Sequence, residues 1–258
     1  MTLKIYKLMK NLNEKVVLVT GASKGLGASI AKCVANNGAR VALNYLKDHS
    51  KAAQVVSEIE KKGGMVKSYA YDITEETAVI KMVEGIERDF GEIDVIVNNA
   101  TGPQHMIKLE NQIWDDYLGQ LDFFVKAPLL LLKANLDKMK QRRAGRIINI
   151  GSEVVELGSK EFGHYVAAKG AMLALTRSWA TELGPFGITC NLVAPGWIPV
   201  ERHLGTSEED YNLYKANLPL GHQGSPDDIG QVVAFLASES SKFITGQKIA
   251  VNGGKTFL

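Results

Sequence analysis

The sequence predicts an α/β fold: one doubly wound domain in which a seven-stranded parallel sheet carries helices on both faces. Three observations lead there. Short apolar runs alternate with longer stretches of helical periodicity along the whole chain, the pattern of repeated strand–helix units. The first apolar run feeds a glycine-rich turn, residues 20–27, that opens a helix. The 258 residues contain no composition shift, short-period repeat or low-complexity stretch that would divide them, and that length suits one large domain.

Residues 1–12 read as an N-terminal tail, with Lys4, Lys7 and Lys10 among apolar residues, and 13–258 as the domain. Val16-Val-Leu-Val19 is a continuous apolar run, as expected of a strand covered on both faces. The helix through Ile30, Ala31, Val34 and Ala35 stops at Asn36-Asn-Gly38. Val41–Leu43 is the second strand, and 50–62 a helix closed by Gly63-Gly64. Met65–Tyr71 is the third strand, and 75–90 a helix stopped by Gly91. After a fourth strand, Asp94–Val97, a long helix is expected over 112–139, bent at Pro128, which has no amide hydrogen to give. Arg146–Ile150 is the fifth strand. The next helix carries Tyr165 and runs to about Leu183, before Gly184-Pro185. Ile188–Val193 is the sixth strand. The polar segment 199–221 is the one insertion. A helix over 226–238 has Ser225 as its N-cap and Pro226 in its first turn. Lys248–Val251 is the seventh strand.

The formal net charge of +2 gives no general electrostatic case for nucleic acid or an anionic membrane surface. The densest apolar run, Ala127-Pro-Leu-Leu-Leu-Leu132, is bounded by Lys126 and Lys133, too short to span a bilayer. The N-terminus lacks an apolar core of signal-peptide length. Cys33 and Cys190 fall in no metal or redox spacing and read as buried, inert thiols of a reduced, cytoplasmic protein. No metal site is expected.

The chemistry-bearing stretch is 152–169. Tyr165 and Lys169 are four residues apart, so on a helix both project from one face. An ammonium beside a phenol favours the phenolate and lowers the tyrosine pKa from about 10, which suits it to pass a proton to a carbonyl oxygen. Ser152 follows the fifth strand, where its hydroxyl could bond that same oxygen. A surface Tyr–Lys pair and a loop serine are the competing reading, which this spacing alone does not exclude. The loop Thr20-Gly-Ala-Ser-Lys-Gly-Leu-Gly27 sits between strand and helix, where glycines allow close approach of a pyrophosphate to free amides. With that loop, the domain is Rossmann-like. The second strand ends Leu43-Asn-Tyr-Leu-Lys47, without the acid that usually binds the ribose hydroxyls of NAD. Lys24 and Lys47 are placed to pair with a 2′-phosphate, so NADPH is expected in preference to NAD; ordinary surface lysines are the alternative.

Over about Leu12 to Gly254 the chain resembles the short-chain dehydrogenase/reductase family. The matching segments are T-G-A-S-K-G-L-G (20–27), Asp72, N-N-A (98–100), Ser152, Y-V-A-A-K (165–169), P-G (195–196) and I-T-G-Q-K-I-A-V-N-G-G (244–254). The thirteen-residue interval from Ser152 to Tyr165 also agrees. The resemblance implies catalytic Ser152, Tyr165 and Lys169, with Tyr165 as acid/base. It implies a cofactor-binding set of Gly21, Ser23, Lys24, Gly25, Leu26, Gly27, Asn44, Tyr45, Asp72, Ile73, Asn98, Ala100, Tyr165, Lys169, Pro195, Gly196 and Ile198. It further implies assembly as a homotetramer or homodimer. The apolar Leu129–Leu132 run and the small residues Ala167, Ala168, Gly170 and Ala171 suit such contacts, and equally suit burial within one subunit.

Several residues depart from the family pattern. Phe124 stands where an asparagine usually supports proton relay behind the lysine, and a phenyl ring neither donates nor accepts a hydrogen bond. Gln120, one turn earlier, is the residue placed to compensate. Thr101 replaces a glycine, Val200 replaces a threonine, and Glu153 adds a charge after Ser152 that reads as solvent-facing. The subgroup most similar is the 3-oxoacyl-[acyl-carrier-protein] reductases, through G-R-I-I-N-I-G-S (145–152) and G-I-T-C-N-L-V-A-P-G (187–196). In that subgroup, basic residues at the site mouth meet the acidic carrier. Arg143 matches one such position, while Phe186 replaces the other. The resemblance implies that 199–221 forms the substrate lid; Trp197, His203, Tyr211 and Tyr214 suggest a partly aromatic pocket, or equally surface aromatics. The expected activity is NADPH-dependent reduction of a ketone, including a 3-oxoacyl thioester on acyl-carrier protein, to a secondary alcohol. The alternative is a cofactor-binding sensor or partner subunit with weak or no turnover.

Overall fold

The computed structural model describes residues 11–203 and 205–257. Most of the expected tail lies outside them. Leu12, assigned to that tail, is instead fully buried, and its amide donates to Asn37 O. The core therefore starts before residue 13, because this leucine fills the amino end of the first strand–helix unit.

Seven strands form one sheet: β1 (Val16–Val19), β2 (Arg40–Tyr45), β3 (Met65–Ala70), β4 (Val95–Asn98), β5 (Gly145–Ile150), β6 (Ile188–Pro195) and β7 (Lys248–Val251). Their order is β3-β2-β1-β4-β5-β6-β7, every pair parallel. Period-two alternation divides the core between the faces. Val17 and Val19 point to the face covered by α1 (Gly25–Asn36), α2 (His49–Lys61) and the helix near the C-terminus. Val16 and Leu18 point to the face covered by α3 (Glu76–Phe90) and the two long helices that follow it in the chain. Because all strands run the same way, Thr20, Asn98, Ser152 and Gly196 meet at one edge. The order reverses between β1 and β4, and that switch opens the crevice where ligands bind in such sheets.

The expected long helix over 112–139 is three pieces: α4 (Trp114–Leu121), a π-helical turn (Asp122–Lys126) and α5 (Ala127–Arg142). The start shifts to Trp114, where the Ile113 amide donates to the Asp116 carboxylate. The irregularity precedes Pro128 rather than sitting on it. The proline ring would press on the carbonyl four residues back, that of Phe124, and its nitrogen could not bond it. The wider π turn accommodates both effects and leaves Phe124 1% exposed.

The four-residue α6 (Val154–Leu157) and the long α7 (Gly163–Leu183) follow β5. The segment 199–221 carries α8 (Glu208–Ala216). The last helix, α9 (Pro226–Ala237), is capped by Ser225, whose amide and hydroxyl both donate to Asp228. A Cβ at Gly230 would come within 2.9 Å of Cys33 Cβ, so this glycine sets the close approach of α9 to α1.

Candidate active site

Tyr165 and Lys169 lie on the buried face of α7, 6% and 3% exposed. Lys169 Nζ donates to Ile150 O at 2.6 Å, which ties the helix to the carboxyl end of β5 two residues before Ser152. The same nitrogen is 5.6 Å from the Tyr165 ring centroid. Val154, two residues beyond Ser152, packs in the cluster around Tyr165. Ser152 Oγ accepts from the Val154 amide at 3.3 Å, which turns the chain into α6. Tyr165 and Lys169 are thus set against the carboxyl edge of β5, from which Ser152 follows two residues on.

Rings enclose Tyr165. Phe162 stacks on it at 4.7 Å and 29°, while Phe124 meets it edge-on at 5.5 Å and 82°. Phe124 also lies beneath Lys169, its ring centroid 3.6 Å from Nζ. Gln120 does not compensate at this point. Its amide donates to Pro103 O at 2.6 Å, so it braces the loop after β4, and its buried Oε1 bonds no neighbour among the described residues.

The glycine loop is tied to the end of β4 through Thr20. The Thr20 hydroxyl accepts from the amides of Asn99 and Ala100 and donates to Val97 O. The Asn99 side chain donates to Thr20 O and Gly21 O. A Cβ at Gly21, where φ is +62°, would stand 2.8 Å from Ala100 Cα; one at Gly27 would stand 2.4 Å from Gly21 O. Bare backbone therefore lines the turn. Lys24, at the N-cap of α1, makes no side-chain cap there. Asn98 donates to Asn149, and its buried Oδ1 has no hydrogen-bond partner. A close-approach backbone cradle at a helix N-terminus, beside an unpaired buried acceptor, fits a dinucleotide's diphosphate and ribose.

The remaining expected residues are placed as follows. Ser23, Gly25 and Leu26 continue the cradle, and Val200 and Glu201 approach it at Gly25. The Asn44 side chain is committed to the protein: Oδ1 accepts from the Gly21 amide, and Nδ2 donates to Tyr69 O and Tyr71 O. Tyr45 is buried with its hydroxyl against His49 Nδ1 at 2.8 Å. Asp72 Oδ1 accepts from the amide and hydroxyl of Thr74, and Ile73 is buried beside it. Pro195 O accepts from the Glu153 amide, and the Gly196 amide donates to Val251 O. Ile198 is buried in the core. Lys24 Nζ is 4.0 Å and Lys51 Nζ 3.8 Å from the Asp48 carboxylate, so two ammonium groups share one acid beyond β2.

Glu153 departs from expectation: it is 4% exposed, not solvent-facing. Its carboxylate accepts from the Tyr214 hydroxyl at 2.8 Å, and that hydroxyl accepts from the Trp197 amide at 2.8 Å. Burial pushes the Glu153 carboxyl up, partly opposed by the Tyr214 bond and the Lys255 charge. Burial also drives the Tyr214 phenol up. This clasp holds α8 to the loop after β6, and Trp197 stacks on Tyr211 at 4.9 Å with His203 at its edge. Arg143 lies away from this centre. It ends α5 where β5 begins, at the opposite edge of the sheet, with its guanidinium on Pro185 O. Within one chain it cannot guard the mouth of the site. Thr20, Asn149 and Phe162 were not singled out as parts of the site by sequence reasoning, and Tyr214 was named only as one of four pocket aromatics; the aromatic residue three before Tyr165 was the local signal available for Phe162.

Among the described residues no cluster of metal-ligating side chains occurs, and no helix is long and apolar enough to cross a membrane. A family model described as enoyl-(acyl carrier protein) reductase matches residues 21–256. The chain is 40% identical to a 3-oxoacyl-[acyl-carrier-protein] reductase FabG of Staphylococcus aureus, covering 93% of this chain and 97% of that protein. It is 34% identical to the FabG of Escherichia coli, over 95% and 98%. Among solved structures, it is similar to a provisionally assigned gluconate dehydrogenase of Agrobacterium tumefaciens, with TM-score 0.91, 30% identity and coverage of 97% and 99%. It is also similar to a blue fluorescent protein from a metagenomic library in complex with NADPH, with TM-score 0.87, 37% identity and coverage of 96% and 100%.

Proposed function

The chain belongs to the short-chain dehydrogenase/reductase family of oxidoreductases, and from that membership we propose that it is an NADPH-dependent reductase of ketones of the 3-oxoacyl thioester class. The observation that carries the reading is the Tyr165–Lys169 pair anchored to Ile150 O beside Ser152. Ser152 Oγ orients the carbonyl oxygen. Tyr165 gives its phenolic proton to that oxygen as the alcohol forms, and the Lys169 ammonium stabilises the phenolate left behind. When bound, NADPH supplies the hydride to the carbonyl carbon.

The residues that would hold NADPH are the backbone of Gly21–Gly27 at the diphosphate, with Asp72, Ile73, Asn98 and Ala100 along the adenosine half. Lys169, Pro195, Gly196 and Ile198 would line the nicotinamide half. Asn44 and Tyr45 act by shaping the rim. The preference for the 2′-phosphate is supported by Lys24 in the glycine loop, 4.0 Å from Asp48, and by Lys47 after β2, with no acid within that strand. The relatives named as FabG support the thioester substrate, and carrier protein as its bearer. A cytoplasmic homotetramer or homodimer is the proposed setting, supported by exposed apolar residues of α4 and α5 such as Trp114, Leu118 and Leu129. The sensor alternative is not favoured, because the Ser152, Tyr165 and Lys169 set is complete. The test is NADPH or NADH consumption against a panel of 3-oxoacyl thioesters and free ketones. Faster consumption of NADPH with the thioesters is expected; cofactor binding without turnover of any carbonyl would overturn the proposal.

A further inference from the structure

We infer that Phe124 is a positioning residue for the reaction, its ring face holding the Lys169 ammonium against Tyr165 where a hydrogen-bonding side chain would otherwise be needed. The inference deepens the reductase reading and rests on it for the roles of Tyr165 and Lys169. Lys169 is almost wholly buried, and a buried ammonium persists only with partners that replace water. Ile150 O supplies one. The Phe124 ring supplies another: its centroid is 3.6 Å from Nζ, well inside the roughly 6 Å reach of a cation–π contact, which strengthens where water is excluded. The same ring meets Tyr165 at 82°, so one side chain sets the spacing of phenol and ammonium.

The local backbone explains how the ring arrives there. The π turn over 122–126 shifts the helical phase ahead of Pro128 and directs Phe124 into the cluster with Tyr165, Met172 and Leu192. An aliphatic side chain of similar volume would fill that space and lack the negative face. A phenyl ring carries no exchangeable proton, so it fixes the charge without conducting protons. Proton resupply to Tyr165 therefore runs on the cleft side of the lysine.

The direction of the effect follows from linkage. Without the ring, Lys169 keeps its proton less readily, a neutral amine no longer favours the phenolate, and the titration of Tyr165 moves up. Other ionisable groups stand on the surrounding elements. Asp122 and Lys126, on the π turn, pair with each other at 4.0 Å. Glu153, after β5, is bonded to Tyr214. His164, on α7, lies against Tyr117 and Phe162. Cys190, on β6, is a buried thiol pushed up to about 12.

The experiment is a phenolate absorbance titration of the apoprotein and of Phe124→Leu, each against the same protein carrying Tyr165→Phe, so that the difference isolates residue 165. Phe124→Met serves if the leucine variant does not fold. The expected result is an upward move of about one pH unit, a tenfold change in the ionisation constant. A severalfold fall in kcat with little change in ketone KM should accompany it, with kcat restored in Phe124→Tyr, which keeps the ring. An unchanged titration in a folded aliphatic variant, or kcat lost equally in Phe124→Tyr, would reduce Phe124 to core filler and overturn the inference. Absence of turnover in the unaltered protein would overturn the reductase reading instead, while the titration still decides the role of Phe124.

Discussion

Tyr165 has a ring on either side, and in the proposed mechanism those rings shape its proton chemistry. Phe162 and Phe124 hold the phenol without competing for its hydroxyl. The proposed mechanism takes the charge it needs from Lys169, held in turn by a backbone carbonyl. The cysteines sit at the other extreme. Burial pushes Cys33 up to about 11 and Cys190 up to about 12, and the thiol rather than the thiolate is the unreactive form. Mass spectrometry after iodoacetamide treatment at about pH 8 should therefore find both unmodified in native protein and both alkylated after denaturation. The Tyr165–Lys169 pair was legible because helical spacing is a local property. Phe124 was legible only as a departure. Its contact with the ammonium depends on a π turn, which no residue-by-residue periodicity anticipates. Glu153 was misread because its partner, Tyr214, lies far along the chain in the segment whose folding was hardest to foresee.

At the scale of elements, α8 is joined to the end of β5 and to the loop after β6 through Tyr214, which accepts from the Trp197 amide and donates to Glu153. Tyr214→Phe removes both bonds and takes the phenolic donor from the buried Glu153 carboxyl. It should destabilise the protein by about 1–3 kcal/mol and raise substrate KM more than it lowers kcat; thermal unfolding and steady-state kinetics check the two halves. The pH dependence has a definite sign. The folded-state value for Glu153 is raised above the ordinary 4.5, so its contribution to stability is present below that value and is lost as pH rises through the raised one. Glu153→Gln should therefore gain stability relative to the unaltered protein at about pH 7 and show no gain at about pH 4. A melting-temperature difference independent of pH would contradict this. Element boundaries followed the sequence closely where caps and glycines marked them, as at Ser225 and Gly91. They failed around Pro128, where the proline's effect fell on the turn before it.

At the scale of the molecule, parallel strand order does the gathering. β1, β4, β5 and β6 deliver the glycine loop, the N-N-A turn, Ser152 and Pro195-Gly196 to one edge, and α7 lays Tyr165 and Lys169 beside them. That arrangement was readable from alternating strand and helix signals, since parallel strands leave little freedom over which ends meet. What could not be read was side-chain commitment, such as Asn44 bracing the Gly21 amide and the carbonyls of Tyr69 and Tyr71. The cradle depends on the closeness of two chain turns. Gly21→Ala places a methyl 2.8 Å from Ala100 Cα at a left-handed φ, and it should weaken NADPH binding by roughly tenfold or more, measured by nicotinamide fluorescence.

The most direct test of the account compares the protein with Tyr165→Phe in NADPH oxidation driven by a 3-oxoacyl thioester. The account predicts that the variant binds NADPH as before and loses turnover on the order of a hundredfold or more, the contribution of a positioned proton donor. Full turnover in the variant would contradict it.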